Sequence, residues 1–249
     1  MNERLTHIDL FSGIGGFSLA AGWAGFETIA FCENEEYCQK VLQKHWPDVP
    51  IIPDIRNFDG TKFRGATLLT GGFPCQDISI SGYEHGLNGE RSGLWRELLR
   101  AISEVRPKYA VVENVANLLA GGDGRWFGRV LGDLAEIGYD TEWHCVSASE
   151  VGAFHKRERV WIIAHTNPCN LRLQRIGPSS YWEGGVEQLE GLVQDALLFS
   201  VPSGKCGGVV DGVSNRTHRL KALGNAIVPQ VAYEIIRCIA EIESKYYGK

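Results

Sequence analysis

The sequence of 249 residues predicts an α/β fold, a Rossmann-like, mostly parallel sheet with helices on both faces. Short apolar runs alternate with helix-length segments through the first two thirds of the chain, and a glycine-rich turn joins the first strand to the first helix. Thr6–Phe11, Thr28–Cys32, Thr67–Thr70, Tyr109–Glu113 and Val160–His165 read as strands. Gly16–Trp23, Glu35–Trp46, Leu94–Val105 and Arg125–Ile137 read as helices, and the third of these ends just before the Arg106-Pro107 step. The alternation stops after His165. Residues 167–216 are rich in Gly, Pro, Ser and Asn and show only a short helical pattern near Val186–Leu198. Ile227–Ile242 then carries apolar residues at 227, 228, 231, 235, 236, 239 and 242, the pattern of an amphipathic helix. Residues 1–166 and 217–249 are therefore expected to form the main body, with 167–216 as a small irregular excursion.

An apolar content of 44% and a charged content of 22% suit a globular protein in water. No run approaches the roughly 18 apolar residues of a membrane helix, and the N-terminal stretch is polar, so the expectation is a cytoplasmic protein with no membrane partner. The seven cysteines (32, 38, 75, 145, 169, 206 and 238) are scattered, without the close pairing of a zinc site, so neither a metal nor a disulfide framework is expected. The net charge is -5, yet residues 156–221 hold nine Lys or Arg against six Asp or Glu. A weakly basic stretch on an acidic body suits contact with nucleic acid along one face, and suits an ordinary solvated surface equally well.

Asp9-Leu10-Phe11-Ser12-Gly13-Ile14-Gly15-Gly16 follows the first strand and opens the first helix. Its glycines allow a sharp turn and close approach of a ligand to the helix N-terminus. Glu33 ends the second strand, where a carboxylate can accept the hydroxyls of a ribose, and Asp54-Ile55 follows the next extended stretch, suited to an exocyclic amine and an adenine face. The turn lacks the G-x-G-x-x-G spacing of a pyrophosphate cradle, which favours a nucleoside cofactor without phosphates over NAD. A plain tight turn is the bland alternative.

Gly71-Gly72-Phe73-Pro74-Cys75-Gln76 follows the fourth strand and presents a thiol on a shaped loop at the same edge. Glu113-Asn114-Val115 ends the fifth strand. There Glu113 emerges from an apolar run, so burial should raise its pKa and make it a proton donor. In isolation, a structural cysteine and a capping or salt-bridged glutamate would explain these two segments.

Taken in order, these segments resemble the DNA (cytosine-5-)-methyltransferases. Asp9–Gly16 is similar to the family's cofactor motif, Gly72–Gln76 to its nucleophile loop and Glu113–Val115 to its acid motif. Arg157-Glu158-Arg159-Val160 and Leu223-Gly224-Asn225-Ala226-Ile227 resemble two later motifs, and Gly89–Trp95 adds a further local match. The stretch from Asp211 to Asn225 resembles the small enzymes of phages and prophages. The resemblance implies S-adenosyl-L-methionine as cofactor, double-stranded DNA as partner, 167–216 as a short target-recognition region, and a separately encoded restriction endonuclease as a companion, with a monomer favoured.

It further implies that Cys75 adds to C6 of a flipped-out cytosine while Glu113 serves ring N3, with Arg157 touching the base or its phosphate and Arg159 orienting the loop. In the implied cofactor pocket, Phe11 stacks on adenine, Glu33 holds the ribose, and Ser12, Gly13, Gly15, Gly16 and Asn34 are further cofactor contacts. Asp54 and Ile55 meet the adenine, Pro74 and Leu94 line the pocket, and Asn225 and Ala226 close it. His155 stands where the family usually carries glutamine, which puts one DNA contact in doubt. Three other readings stay open on sequence: a tRNA cytosine-C5 methyltransferase, a non-catalytic DNA-binding relative, and a nucleotide-dependent oxidoreductase, the last disfavoured by the shape of the turn.

Overall fold

The computed structural model describes residues 4–74, 93–153, 156–166, 222 and 224–247. Seven strands form one sheet: β1 (Thr6–Leu10), β2 (Glu27–Cys32), β3 (Ile51–Ile52), β4 (Leu68–Gly72), β5 (Tyr109–Val115), β6 (Asp140–Ser147) and β7 (Glu158–His165). Their order is β3-β2-β1-β4-β5-β7-β6. The first five run parallel, and β7 pairs antiparallel with both β5 and β6. Five helices of eight or more residues accompany the sheet among the described residues: α1 (Gly16–Trp23), α2 (Glu36–His45), α3 (Gly93–Val105), α4 (Arg125–Glu136) and α5 (Pro229–Tyr247).

Strand periodicity divides the core into two layers. Ile8, Leu10, Leu69, Val112 and Ile162 pack with Trp95, Leu98 and Ile102 of α3 and Val130 and Leu134 of α4. On the opposite face Leu68, Val111, Trp161 and Ile163 meet Phe17, Ala20 and Ala21 of α1, and Val231, Ile235 and Ile239 of α5. The far end of α5 is tied to the sheet by Glu243, whose buried carboxylate accepts from Lys108 Nζ at 2.8 Å and Tyr109 OH at 3.0 Å.

The chain winds from β1 outward through β2 and β3, then crosses to β4 on the other side of β1. Strand order thus reverses between β1 and β4, and ligands of open parallel sheets bind at the carboxyl ends of strands beside such a reversal. Gly72 at the end of β4 is paired with Glu113 near the end of β5, so both reach that edge together.

The mostly parallel α/β sheet expected from the sequence is present. Strand β6 was not expected, and the predicted strand Val160–His165 is consequently the seventh, antiparallel one. Asp140, Thr141, Glu142 and His144 give β6 a polar reading, and as an edge strand it keeps much of that surface exposed. Helix α5 starts at Pro229 instead of Ile227, since proline suits a helix's first turn and leaves Ile227 and Val228 outside it. The helix expected near Val186–Leu198 and the division at 167–216 lie outside the described residues. Among those residues, no helix is long and apolar enough to cross a membrane.

Candidate active site

The glycine turn is held from several sides. Gly13 and Gly15 have φ of 54° and 88°, left-handed values that glycine adopts without steric cost. Phe11 also has a positive φ, 54°, an uncommon value for a bulky residue and a mark of local strain at the strand end. Ser12 Oγ donates to Asp9 O at 2.6 Å and Ser12 N to Cys32 O at 3.1 Å, pinning the turn to β1 and β2. Glu33 completes the fastening: Oε2 accepts from Gly13 N at 2.7 Å and Oε1 from Glu35 N at 2.7 Å. Each of these oxygens retains a lone pair, so the carboxylate can also accept from a ligand hydroxyl. A Cβ placed on Gly13 would meet nothing within 4 Å, so the space above the turn is open. A nucleoside cofactor fits this donor set and opening.

Around the turn, Phe11 and Leu94 pack on the core while staying partly exposed, Asn34 is exposed, and Ile55 is buried. Asp54 was expected to meet an exocyclic amine. Its carboxylate instead accepts from Arg56 through Nε at 3.0 Å and through a terminal nitrogen at 2.6 Å, which holds it below the usual carboxylate range. An incoming amine must therefore share this carboxylate with Arg56.

Glu113 is buried, and burial raises its carboxyl pKa against the opposing pull of the Arg159 and Arg157 charges. Arg159 Nε lies 2.8 Å from Glu113 Oε1. Trp161 is directly opposite Glu113 on β7, so Arg159, two residues earlier, shares its face as the diagonal neighbour. A Cβ on Gly72 would come within 3.2 Å of Glu113 Oε2, which shows how closely the end of β4 approaches the acid. Cys75 lies outside the described residues. Pro74, just before it, is exposed, and the carbonyl of Phe73 accepts from Asn114 Nδ2 at 2.9 Å.

Arg157 was expected at the base or its phosphate. In the structure a terminal nitrogen donates to Gly224 O at 2.8 Å, and its buried Nε has no partner among the described residues. Burial, followed by the neighbouring Arg159 charge, lowers its pKa. Asn225 is exposed and Ala226 half-buried beyond this contact, so Arg157 joins the start of β7 to the closing segment. That segment reaches the turn as well: a Cβ on Gly16 would lie 2.8 Å from Ile227 Cγ1. Gly16→Val should displace Ile227 together with Asn225 and Ala226 and weaken cofactor affinity at least about tenfold. Calorimetric titration checks this, and an unchanged Kd would show that the closing segment does not shape the pocket.

Two further contributors lie inside the sequence motifs, and a third lies outside them. Asn114 sat inside the acid motif, and its position one step past Glu113 at a strand end was the available signal. Asp9 headed the glycine motif, where the apolar strand around it marked it as a buried carboxyl. Trp46 was missed: a Cβ on Gly15 would meet its ring at 2.7 Å, and the indole packs against Phe31 at a centroid distance of 5.5 Å. Nothing local in the sequence pairs Trp46 with residue 15.

The reversed sheet, the glycine turn with its acidic partner, and the acid beside the loop after β4 define a Rossmann-like methyltransferase architecture. The C-5 cytosine-specific DNA methylase family model matches residues 5–197, and the chain belongs to that family. Type II methyltransferase M2.BsuMI of Bacillus subtilis is 35% identical over 161 residues, covering 63% of this chain and 41% of that protein. Type II methyltransferase M.HhaI of Haemophilus parahaemolyticus is 32% identical over 168 residues, covering 68% and 51%. The chain thus spans about half the length of these relatives. Among solved structures, methyltransferase EhMeth of Entamoeba histolytica shares the fold with a TM-score of 0.68 at 14% identity, covering 96% of this chain and 99% of that one.

Proposed function

We propose that the chain methylates C5 of a flipped-out cytosine in double-stranded DNA, with S-adenosyl-L-methionine as donor and Cys75 as nucleophile. The observation that carries this reading is the buried Glu113 carboxyl on β5, register-paired with Gly72, three residues before the thiol, at the edge that also bears the glycine turn. Cytosine C5 is too weak a nucleophile to take a methyl group unaided. Addition of the Cys75 thiolate to C6 makes C5 electron-rich, while Glu113 donates a hydrogen bond or proton to ring N3. S-adenosyl-L-methionine supplies the methyl group. Loss of the C5 proton and elimination of Cys75 then restore the aromatic ring. These atoms are unreachable in a stacked duplex, so the base must leave the helix.

In this reading Phe11, Ser12, Gly13, Gly15 and Gly16 form the cofactor turn, and Glu33 and Asn34 meet the ribose. Asp54, Ile55 and Leu94 flank the adenine, and Pro74, Asn225 and Ala226 close the pocket. Arg159 holds Glu113 and Arg157 holds the closing segment. Residues 167–216 select the target, the protein works in the cytoplasm as a monomer, and a separately encoded endonuclease of matching specificity is its companion.

Labelled methyl groups should pass from S-adenosyl-L-methionine to cytosine in mixed-sequence duplex DNA, and tRNA should compete poorly. No transfer to DNA by reduced protein would refute the reading, and preferential transfer to tRNA would reassign the substrate. Bisulfite sequencing of DNA from expressing cells would identify the target sequence.

A further inference from the structure

A buried hydrogen-bonded chain runs beneath the glycine turn, and the proposed reaction does not use it. Thr28 Oγ1 is 3.0 Å from His7 Nδ1, and His7 Nε2 is 2.8 Å from Thr70 Oγ1. Thr70 Oγ1 donates to Asp9 Oδ1 at 3.4 Å, and Asp9 Oδ2 accepts from Ser18 Oγ at 2.7 Å and Ser18 N at 3.2 Å. All five residues are buried, with His7, Asp9 and Thr70 at 0% exposure. The chain joins β2, β1, β4 and the first turn of α1, and so crosses the reversal of strand order. Asp9 lies just before the glycine turn, Ser18 lies just after it, and Thr70 is on the strand leading to Cys75.

We propose that Asp9 is a positioning residue: a proton-sensitive clasp that fastens the cofactor turn to the nucleophile strand, with the tautomer of His7 recording its state. The directions of these hydrogen bonds depend on the charge of Asp9. The ionised carboxylate accepts from all three donors, Ser18 N–H, Ser18 O–H and Thr70 O–H, and has no proton of its own to place. The Thr70 oxygen then accepts from His7 Nε2–H, and His7 Nδ1 accepts from Thr28. A proton gained on Asp9 Oδ1 turns that oxygen into a donor toward Thr70. Thr70 must then donate to His7 Nε2, and the ring proton moves to Nδ1, facing Thr28. One proton taken from solvent reverses three hydrogen bonds and leaves His7 neutral.

The environment sets this switch in a useful range. Burial pushes the Asp9 carboxyl up to about 8, with the Ser18 and Thr70 hydrogen bonds opposing and the Glu33 charge adding to the rise. Burial holds His7 down at about 3, so its ring stays neutral throughout. The first turn of α1 contributes no acidic side chain. A sulfonium at the turn would favour the ionised Asp9, whereas the uncharged thioether product would not; this last step rests on the function proposed above.

Nitrogen-resolved NMR of His7 in the full chain, from about pH 6 to about pH 10, tests the clasp without any ligand. His7 should be Nε2–H at high pH and Nδ1–H at low pH, with the transition near the Asp9 value of about 8. Asp9→Asn should abolish the pH dependence, and Ser18→Ala, which removes a donor to the carboxylate, should move the transition to higher pH. A tautomer that never changes in the wild type, or changes unaltered in Asp9→Asn, overturns the proposal. Saturating S-adenosyl-L-methionine should lower the transition by about one pH unit, equivalent to about tenfold tighter binding to the ionised form, and S-adenosylhomocysteine should not. Equal shifts with the two ligands overturn the sulfonium coupling. Failure of both to bind refutes the cofactor reading and leaves the ligand-free titration to decide the clasp.

Discussion

Cys75→Ser is expected to form no covalent adduct with duplex DNA containing 5-fluorocytosine, and its methyl transfer should fall to background. Fluorine at C5 cannot leave as a proton does, so wild-type protein should stay attached through the Cys75–C6 bond and migrate as a denaturant-stable complex. A thiolate is accessible near neutral pH, whereas a serine hydroxyl would need a strong base beside it to reach a comparable anionic state. Before the loop, Asn114 grips the Phe73 carbonyl at 2.9 Å, and Pro74 is exposed. The glycine turn is a separate segment, so the serine variant should keep cofactor affinity within about twofold. Adduct formation by Cys75→Ser would remove Cys75 from the mechanism.

The parts that were legible in sequence are those in which local chemistry and fold agree. The apolar runs of β1, β2, β4 and β5 are buried on both faces, so each carries a strong signal independent of its neighbours. The strand-end positions of the glycine turn and Glu113 were readable because an extended run precedes each. Strand β6 was not readable, because an edge strand needs only one partner and can keep a polar sequence. Partners chosen by tertiary packing were equally hidden. Arg157 reaches Gly224, 67 residues away, and Trp46 fills the space beside Gly15. No spacing rule links such pairs. The hydrogen bonds of Asp9 across β4 and α1 belong to the same class. Its carboxyl was visible, but its neighbours depend on which strand lands beside β1.

Glu113→Gln should lower kcat by about 10²–10⁴, the usual share of a positioned general acid, while leaving cofactor affinity intact. Glutamine keeps the shape and one donor but has no proton to give up. The pH profile separates these roles. Burial raises the Glu113 pKa, so the acid form survives further toward neutrality than an exposed glutamate would allow. Wild-type activity should fall as pH rises through that pKa, and the glutamine variant should lack this alkaline limb. Arg159 works in the opposite direction: its guanidinium, 2.8 Å from Oε1, favours the ionised form. Arg159→Met should therefore raise the Glu113 pKa further and shift the alkaline limb to higher pH. Stability follows the same sign. A carboxyl with a raised folded-state pKa contributes most below its unfolded value, near 4.3, and that contribution is lost as pH climbs to the folded value. Without Arg159 this loss should continue to higher pH, and in Glu113→Gln it should be absent. Thermal melts across pH on the single and double variants provide a check that needs no catalysis. An alkaline limb that stays in place in both variants would show that another group holds the proton.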